Sequence, residues 1–352
     1  MTTYKILDGA TGTTLTHMGF ESIDHDELWS AKILANNPTV LEKLHKDFIS
    51  AGSTEILSAT YQMPDPRKDL LMASKIAENA RKLCEIIKNV GNVGNVENSN
   101  KKINFYAELG PYGASLHDGS EYNGNYFDTD GSNLEQISIE KIIYNHHKTR
   151  MNLLCPENDT TVPGVQPPLF THAAFSTIPA LPEVKIISKV MQENFPKLKY
   201  FISVQASFDE NTQKVKLAHG ESGQDFIKFM ESLPEECFGY GLNCVDKGLC
   251  EKFLGEVIHF RSDQDVQAQK TLIFYPNIGK TWNGTTHTWE EPSITSSKNQ
   301  GNGWVKNLHT LILAKNLEKK NFKFMVGGCC GTLPKDIGNL VEFMRTEDLN
   351  II

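Results

Sequence analysis

The chain has 352 residues, 39% of them hydrophobic and 22% charged, a soluble globular composition with length for one large domain or two ordinary ones. Its net charge of −8 leaves no basic footprint for nucleic acid or an anionic membrane surface, and no apolar run approaches a bilayer span. The opening Met1-Thr2-Thr3-Tyr4-Lys5-Ile6 lacks the apolar stretch of a secretory signal, and the odd count of seven cysteines fits free thiols or metal ligands better than a disulfide framework. The expected setting is reducing and cytoplasmic.

In chain order, short β-rich runs alternate with longer helical patterns. Strands are predicted at Tyr4–Asp8, Glu55–Thr60, Ile103–Leu109, Leu169–Phe175, Tyr200–Gln205, Gly239–Cys244, Thr271–Pro276 and Phe322–Val326. Helices are predicted at Thr39–Ala51, Leu70–Asn89, Ser138–Leu154, Glu183–Asn194, Gln224–Leu233, Cys250–Phe260, Trp304–Leu317 and Lys335–Phe343. Strand and helix alternating in this way is the pattern of an α/β fold, a closed (β/α)8 TIM barrel. The length exceeds what that barrel needs, and three polar tracts, 89–102, 155–168 and 291–303, read as loop insertions. No boundary divides the chain, so residues 1–352 are expected to form a single domain.

The chemistry concentrates in two places. Val326-Gly327-Gly328-Cys329-Cys330-Gly331-Thr332 and Gly241-Leu242-Asn243-Cys244 put three thiols at the ends of two predicted strands. Adjacent cysteines in a regular strand face opposite ways, but the flanking glycines let the backbone turn until both sulfurs swing to one side. Three sulfur ligands and one open position suit a zinc ion that must also bind a substrate. Barrel enzymes place reacting groups at the C-terminal strand ends, which here gather Asp8, Thr60, Ser176, Cys244, Cys329 and Cys330 at one mouth. Cys84, Cys155, Cys237 and Cys250 have no such placement and read as core or loop residues.

Six motifs in order make the chain similar to the homocysteine S-methyltransferase family, from Asp8 to Ile337. They are Asp8-Gly9-Ala10-Thr11-Gly12-Thr13, Ala51-Gly52 through Thr60-Tyr61-Gln62, Gly110-Pro111-Tyr112-Gly113-Ala114 with Asp118-Gly119-Ser120-Glu121-Tyr122, Gly241-Leu242-Asn243-Cys244, Tyr275-Pro276-Asn277-Ile278-Gly279, and Gly327-Gly328-Cys329-Cys330-Gly331. The pattern most resembles the branch that uses sulfonium methyl donors. The resemblance implies that Cys244, Cys329 and Cys330 bind Zn2+, that homocysteine sulfur takes the fourth position, and that S-methylmethionine or S-adenosylmethionine gives up the methyl group.

Among supporting residues, Asp8 is expected to bind the substrate ammonium group, while Thr60 is either a substrate contact or an ordinary strand residue. Asn243 is placed beside the site in a packing or contact role. Tyr112, Glu121 and Tyr122 could hold a sulfonium cation against aromatic faces and a carboxylate. His146 and His147 read as surface residues of a helix. One departure stands out: where the family usually has Phe-Glu-Thr-Ile-Pro, this chain has Phe175-Ser176-Thr177-Ile178-Pro179. The resemblance implies that this glutamate pairs with the amino group of homocysteine. Ser176 keeps a hydrogen-bonding group but loses the charge, an expected loss of roughly tenfold to over a hundredfold in acceptor binding. The family's Pro after Asn-Cys-x-x is also absent, since Val245-Asp246-Lys247 follows Cys244. Ser176 therefore leaves two alternatives open, another thiol or selenol acceptor or a non-catalytic zinc-binding barrel. Glu55, a carboxylate inside an apparent buried strand, could compensate, although nothing in the sequence places it beside Ser176.

Overall fold

A computed structural model describes residues 2–21, 23, 26–90, 102–128, 135–156, 169–170, 172–262, 270–278, 281–283, 288–290 and 321–352. Eight parallel strands form the barrel wall. The first four are β1 (Thr3–Ile6), β2 (Glu55–Leu57), β3 (Asn104–Leu109) and β4 (His172–Ile178). β5 (Lys199–Val204) is followed by an antiparallel hairpin, β6 (Ala206–Asp209) and β7 (Lys214–Leu217). β8 (Cys237–Asn243) and β9 (Thr271–Tyr275) come next, then a second small hairpin, β10 (Thr281–Asn283) and β11 (Thr288–Glu290), and finally β12 (Lys323–Val326). The spatial order is β1-β12-β9-β8-β5-β4-β3-β2. The ring closes where Thr54 N donates to Ile6 O at 2.9 Å and Asp8 N donates to Glu55 O at 3.0 Å.

Helices α1 (Thr11–His17), α2 (Ser30–Asn36), α3 (Pro38–Ala51), α4 (Leu70–Val90), α5 (Glu135–Leu154), α6 (Leu181–Asn194), α7 (Gly223–Ser232), α8 (Lys247–Ser262) and α9 (Pro334–Thr346) pack outside. Their ends follow local chemistry. Pro38 opens α3 at a position needing no backbone donor, and Gly52 closes it in the left-handed conformation. Ser222 caps α7 by accepting from Gln224 N. No described helix is long and apolar enough to cross a membrane.

Inside the ring, Leu7, Leu57, Tyr106, Ala174, Phe201, Ile273, Tyr275 and Met325 pack together. A larger core fills the space between strands and helices. The period of two along a strand then fixes the next residues inward: above Tyr106 comes Glu108, and above Ala174 comes Ser176.

The predicted elements differ from the observed ones in three ways. β4 runs three residues further than expected, because Ile178 still pairs with Val204 of β5 and its polar Ser176 and Thr177 belong to the strand. β2 stops early, because side chains take over its pairing: Glu108 N donates to Ser58 Oγ at 3.0 Å, and Thr60 Oγ1 donates to Glu108 O at 2.6 Å. Helices α1 and α2 and both small hairpins have no counterpart in the sequence reading. The helix predicted at Trp304–Leu317 lies outside the described residues, as do most of the three insertions.

Glu55 does not compensate for Ser176. It begins β2 at the opposite end of the barrel, where Lys5 Nζ lies 3.3 Å away, Asn104 Nδ2 donates at 3.0 Å and the Tyr106 hydroxyl also donates. A strand's two ends belong to different faces of a barrel, so these groups serve its N-terminal floor.

Candidate active site

A cavity of about 890 Å³ opens over the C-terminal ends of the strands. Asp8, Glu108, Ser176, Asn243, Tyr275 and the three motif cysteines line its floor, and Trp29, Tyr61, Glu121 and Tyr122 are part of its wall.

Two unusual backbone turns aim its side chains. Thr177 and Cys244 hold positive φ angles of 62° and 54°, which breaks strand alternation, so Ser176 with Thr177, and Asn243 with Cys244, all line the cavity. Asn243 ties the two kinks together: its Oδ1 accepts from Thr177 N and its Nδ2 donates to Thr177 Oγ1, both at 2.8 Å. The turn after β12 depends on glycine. A Cβ on Gly328 would lie 2.1 Å from Thr332 Oγ1, and Gly331 adopts φ 87° with Ile278 O 2.2 Å from where its Cβ would stand.

The result is a thiol cluster. The sulfurs of Cys244, Cys329 and Cys330 all lie within 4.8 Å of one another, with Cys244 and Cys330 at 3.7 Å. Two thiolates bound tetrahedrally to zinc at about 2.3 Å stand about 3.8 Å apart, so the spacing fits such an ion. The charge pattern fits as well. Hydrogen bonds from Cys329 and Cys330 hold the Cys244 thiol well below its ordinary range, while the same sharing pushes Cys329 and Cys330 well above theirs. One thiolate is stable here and three are not, unless a cation neutralises them. Burial pushes the thiols of Cys237 and Cys250 upward, as expected of core residues, and Cys84 and Cys155 are buried too.

Two carboxylates line the same cavity as the thiols. Asp8 accepts from Leu57 N at 3.0 Å, and burial raises it well above the usual carboxylate range, with the nearby charge of Glu108 adding to the shift. Glu108 accepts from Ser176 Oγ at 3.0 Å, and burial carries it up to about 8. Glu108 is not among the site residues expected from the sequence. The available signal was a lone charge in the apolar run Asn104-Phe105-Tyr106-Ala107-Glu108-Leu109, on the inward face and just before Gly110.

Other expected residues divide. Thr60 is fully buried, and its hydroxyl, bonded to Glu108 O, is not part of the cavity lining. Tyr112 turns away from the cavity and packs edge-on against Tyr126 and His146. Glu121 and Tyr122 do line it, and burial pushes the Glu121 carboxyl up to about 7. His146 and His147 are not surface residues; both are 0% exposed. His147 Nε2 meets Glu183 Oε1 at 2.7 Å, and His146 Nε2 meets Arg150 Nη1 at 2.6 Å. Arg150 in turn donates to Tyr61 O at 2.7 Å and Gly110 O at 3.2 Å. Polar helix residues can be buried when each finds a partner, and here they brace the loops that wall the cavity.

The likeness to known proteins agrees with this architecture. The homocysteine S-methyltransferase family profile matches residues 5–344. Homocysteine S-methyltransferase YbgG of Bacillus subtilis is 27% identical over 97% of this chain and 94% of its own length. Betaine-homocysteine S-methyltransferase of Drosophila melanogaster is 26% identical over 94% of this chain and 90% of its own. The metallated form of the homocysteine methyltransferase MmuM from Escherichia coli shares the fold with a TM-score of 0.64 at 22% identity, covering 96% of this chain and 95% of that one. With a match over nearly its whole length, the chain belongs to the homocysteine S-methyltransferase family, enzymes that transfer a methyl group to homocysteine.

Proposed function

We propose that this protein is a zinc-dependent enzyme that moves a methyl group from a sulfonium donor, S-methylmethionine or S-adenosylmethionine, to homocysteine, forming methionine. The observation that carries the reading is the convergence of Cys244, Cys329 and Cys330 at the floor of the cavity. These three residues would hold the ion. Bound there, zinc would acidify the acceptor thiol so that a thiolate nucleophile is present at neutral pH.

The remaining work belongs to the chain itself. In the transfer, the acceptor sulfur forms a bond to the methyl carbon as the donor's own S–CH3 bond breaks. The donor leaves as a neutral thioether, and no general base is needed at that step. Catalysis is then largely a matter of in-line positioning within the cavity. Two features of the cavity favour a cationic donor. Three thiolates around one divalent ion leave net negative charge, and Glu121 stands among Trp29, Tyr61 and Tyr122, whose ring faces attract cations. The name of the Drosophila relative adds betaine, a zwitterion whose methyl groups sit on a cationic quaternary nitrogen, to the donors worth testing.

The test is methionine formation by reduced, zinc-loaded protein given homocysteine, with S-methylmethionine, S-adenosylmethionine and glycine betaine in parallel. Turnover with a sulfonium and its loss on chelation is the expected result. Turnover that survives complete metal removal would overturn the zinc dependence. No methionine from any donor, with zinc bound, would overturn the reaction itself.

A further inference from the structure

Two buried carboxylates share the cavity floor, and among the described residues no Lys, Arg or His forms an ion pair with either. Asp8 is 1% exposed and feels the charge of Glu108 directly. Burying two like charges without a cation is costly, and a ligand ammonium group would relieve both at once. Glu108 is also held in a set orientation. Ser176 Oγ donates to it at 3.0 Å while accepting from Tyr275 OH at 2.9 Å, and Tyr275 OH is itself bonded to Ser203 Oγ. This relay needs a small hydroxyl at 176. A glutamate there would crowd a second carboxylate against Glu108, since neighbouring strands stand only about 4.8 Å apart. Glu108 and Ser176 therefore form a matched pair: the charge comes from β3 and the serine of β4 steadies it.

We infer that Glu108, with Asp8, holds the α-ammonium group of the acceptor amino acid, the role that the family resemblance gives to a glutamate at position 176. The assignment rests on the proposed reading of the reaction and makes Ser176 a marker of relocated charge. It replaces the expectation of a weakened site. It also sets specificity: the acceptor must carry a primary ammonium, and a thiol without one is discriminated against.

Two measurements on the zinc-loaded protein test this. One is the KM for homocysteine. The other, independent of turnover, is calorimetric titration with L-methionine and with its desamino counterpart, 4-(methylthio)butanoate. Glu108→Gln is expected to raise the homocysteine KM and weaken L-methionine about tenfold to a hundredfold, leaving the desamino compound and the donor KM unchanged. Ser176→Glu alone, adding a third carboxylate, should also weaken L-methionine, and the double variant Glu108→Ser/Ser176→Glu should recover it. Wild-type KM and wild-type preference for L-methionine in Glu108→Gln would overturn the assignment, as would equal binding of both titrants by the wild type. A wild type that forms no methionine defeats the reaction reading alone, because the calorimetric comparison still decides the role of Glu108.

Discussion

Cys244 and Cys250 carry the same thiol in opposite circumstances. Cys244 lies at a left-handed kink beside two other sulfurs, whereas Cys250 is buried in α8 with its thiol pushed far up by desolvation. Cys244→Ser should therefore abolish metal retention and cut methionine formation by more than the roughly 10–100-fold that loss of a supporting group costs. Cys250→Ala should keep both, and metal analysis of the two purified variants separates ligand from bystander. His45 makes a different case. It is fully buried on α3, edge-on to Phe105, and neither ring nitrogen has a hydrogen-bond partner among the described residues. Burial pushes it down to about 3, so the folded protein keeps it neutral while the unfolded chain takes up a proton below about 6.5. Its contribution to stability is then complete above pH 6.5 and is lost as pH falls from 6.5 toward 3, at up to about 1.4 kcal/mol per pH unit. His45→Phe should raise the urea midpoint at pH 7 and flatten its decline toward pH 5. An unchanged slope would show that His45 has a partner in solution. The cysteines were legible because sulfur beside glycine is a rare spelling; Glu108 and His45 were not, because one glutamate or histidine in a run of apolar residues does not announce which way it faces.

At the scale of elements, the cavity wall is held from behind by α5 and α6. Glu183, near the start of α6, is fully buried and accepts from Tyr112 N at 2.7 Å, from His147 Nε2 at 2.7 Å and from the Tyr126 hydroxyl. One carboxylate thus fixes both ends of the segment that presents Glu121 and Tyr122. Glu183→Gln keeps the shape but offers a donor where an acceptor is needed, so at least one charged hydrogen bond is lost. The expected cost is about 1.5–3 kcal/mol in urea unfolding. Limited proteolysis should cut the variant faster between residues 112 and 127, and its donor KM should rise more than its homocysteine KM. A stability loss with intact protease resistance would mean that the segment is held by something else. Here the sequence misled for a physical reason. Two adjacent histidines in a helical pattern read as surface, and only their spatial neighbours make them interior: Glu183 of α6 for His147, and Arg150 of α5 with Asp65 for His146.

Across the whole molecule, the barrel was readable because eight apolar runs recur with helical patterns between them, and a buried parallel strand has few other spellings. What escaped were parts with no period to reveal them, the short helices α1 and α2 and the hairpins, and the lateral neighbours that put Glu108 beside Ser176. The thiol cluster belongs to this scale too. Cys244 follows β8 just as Cys329 and Cys330 follow β12, and β9 lies between those strands, so an ion on all three sulfurs would tie together a quarter or more of the barrel mouth. An unfolded chain has no such convergence, and preferential binding to the folded state must add to its stability. At free zinc one hundred times the dissociation constant the gain is about 2.7 kcal/mol, which for a chain of this length corresponds to a rise in Tm of roughly 4 °C. Chelation should remove that increment from the reduced wild type and leave Cys244→Ser unmoved, so the difference between the two melting curves isolates the ion. A wild-type Tm indifferent to both added zinc and chelator would mean that the three thiols hold no metal in solution, and the nucleophile would then need another source of activation.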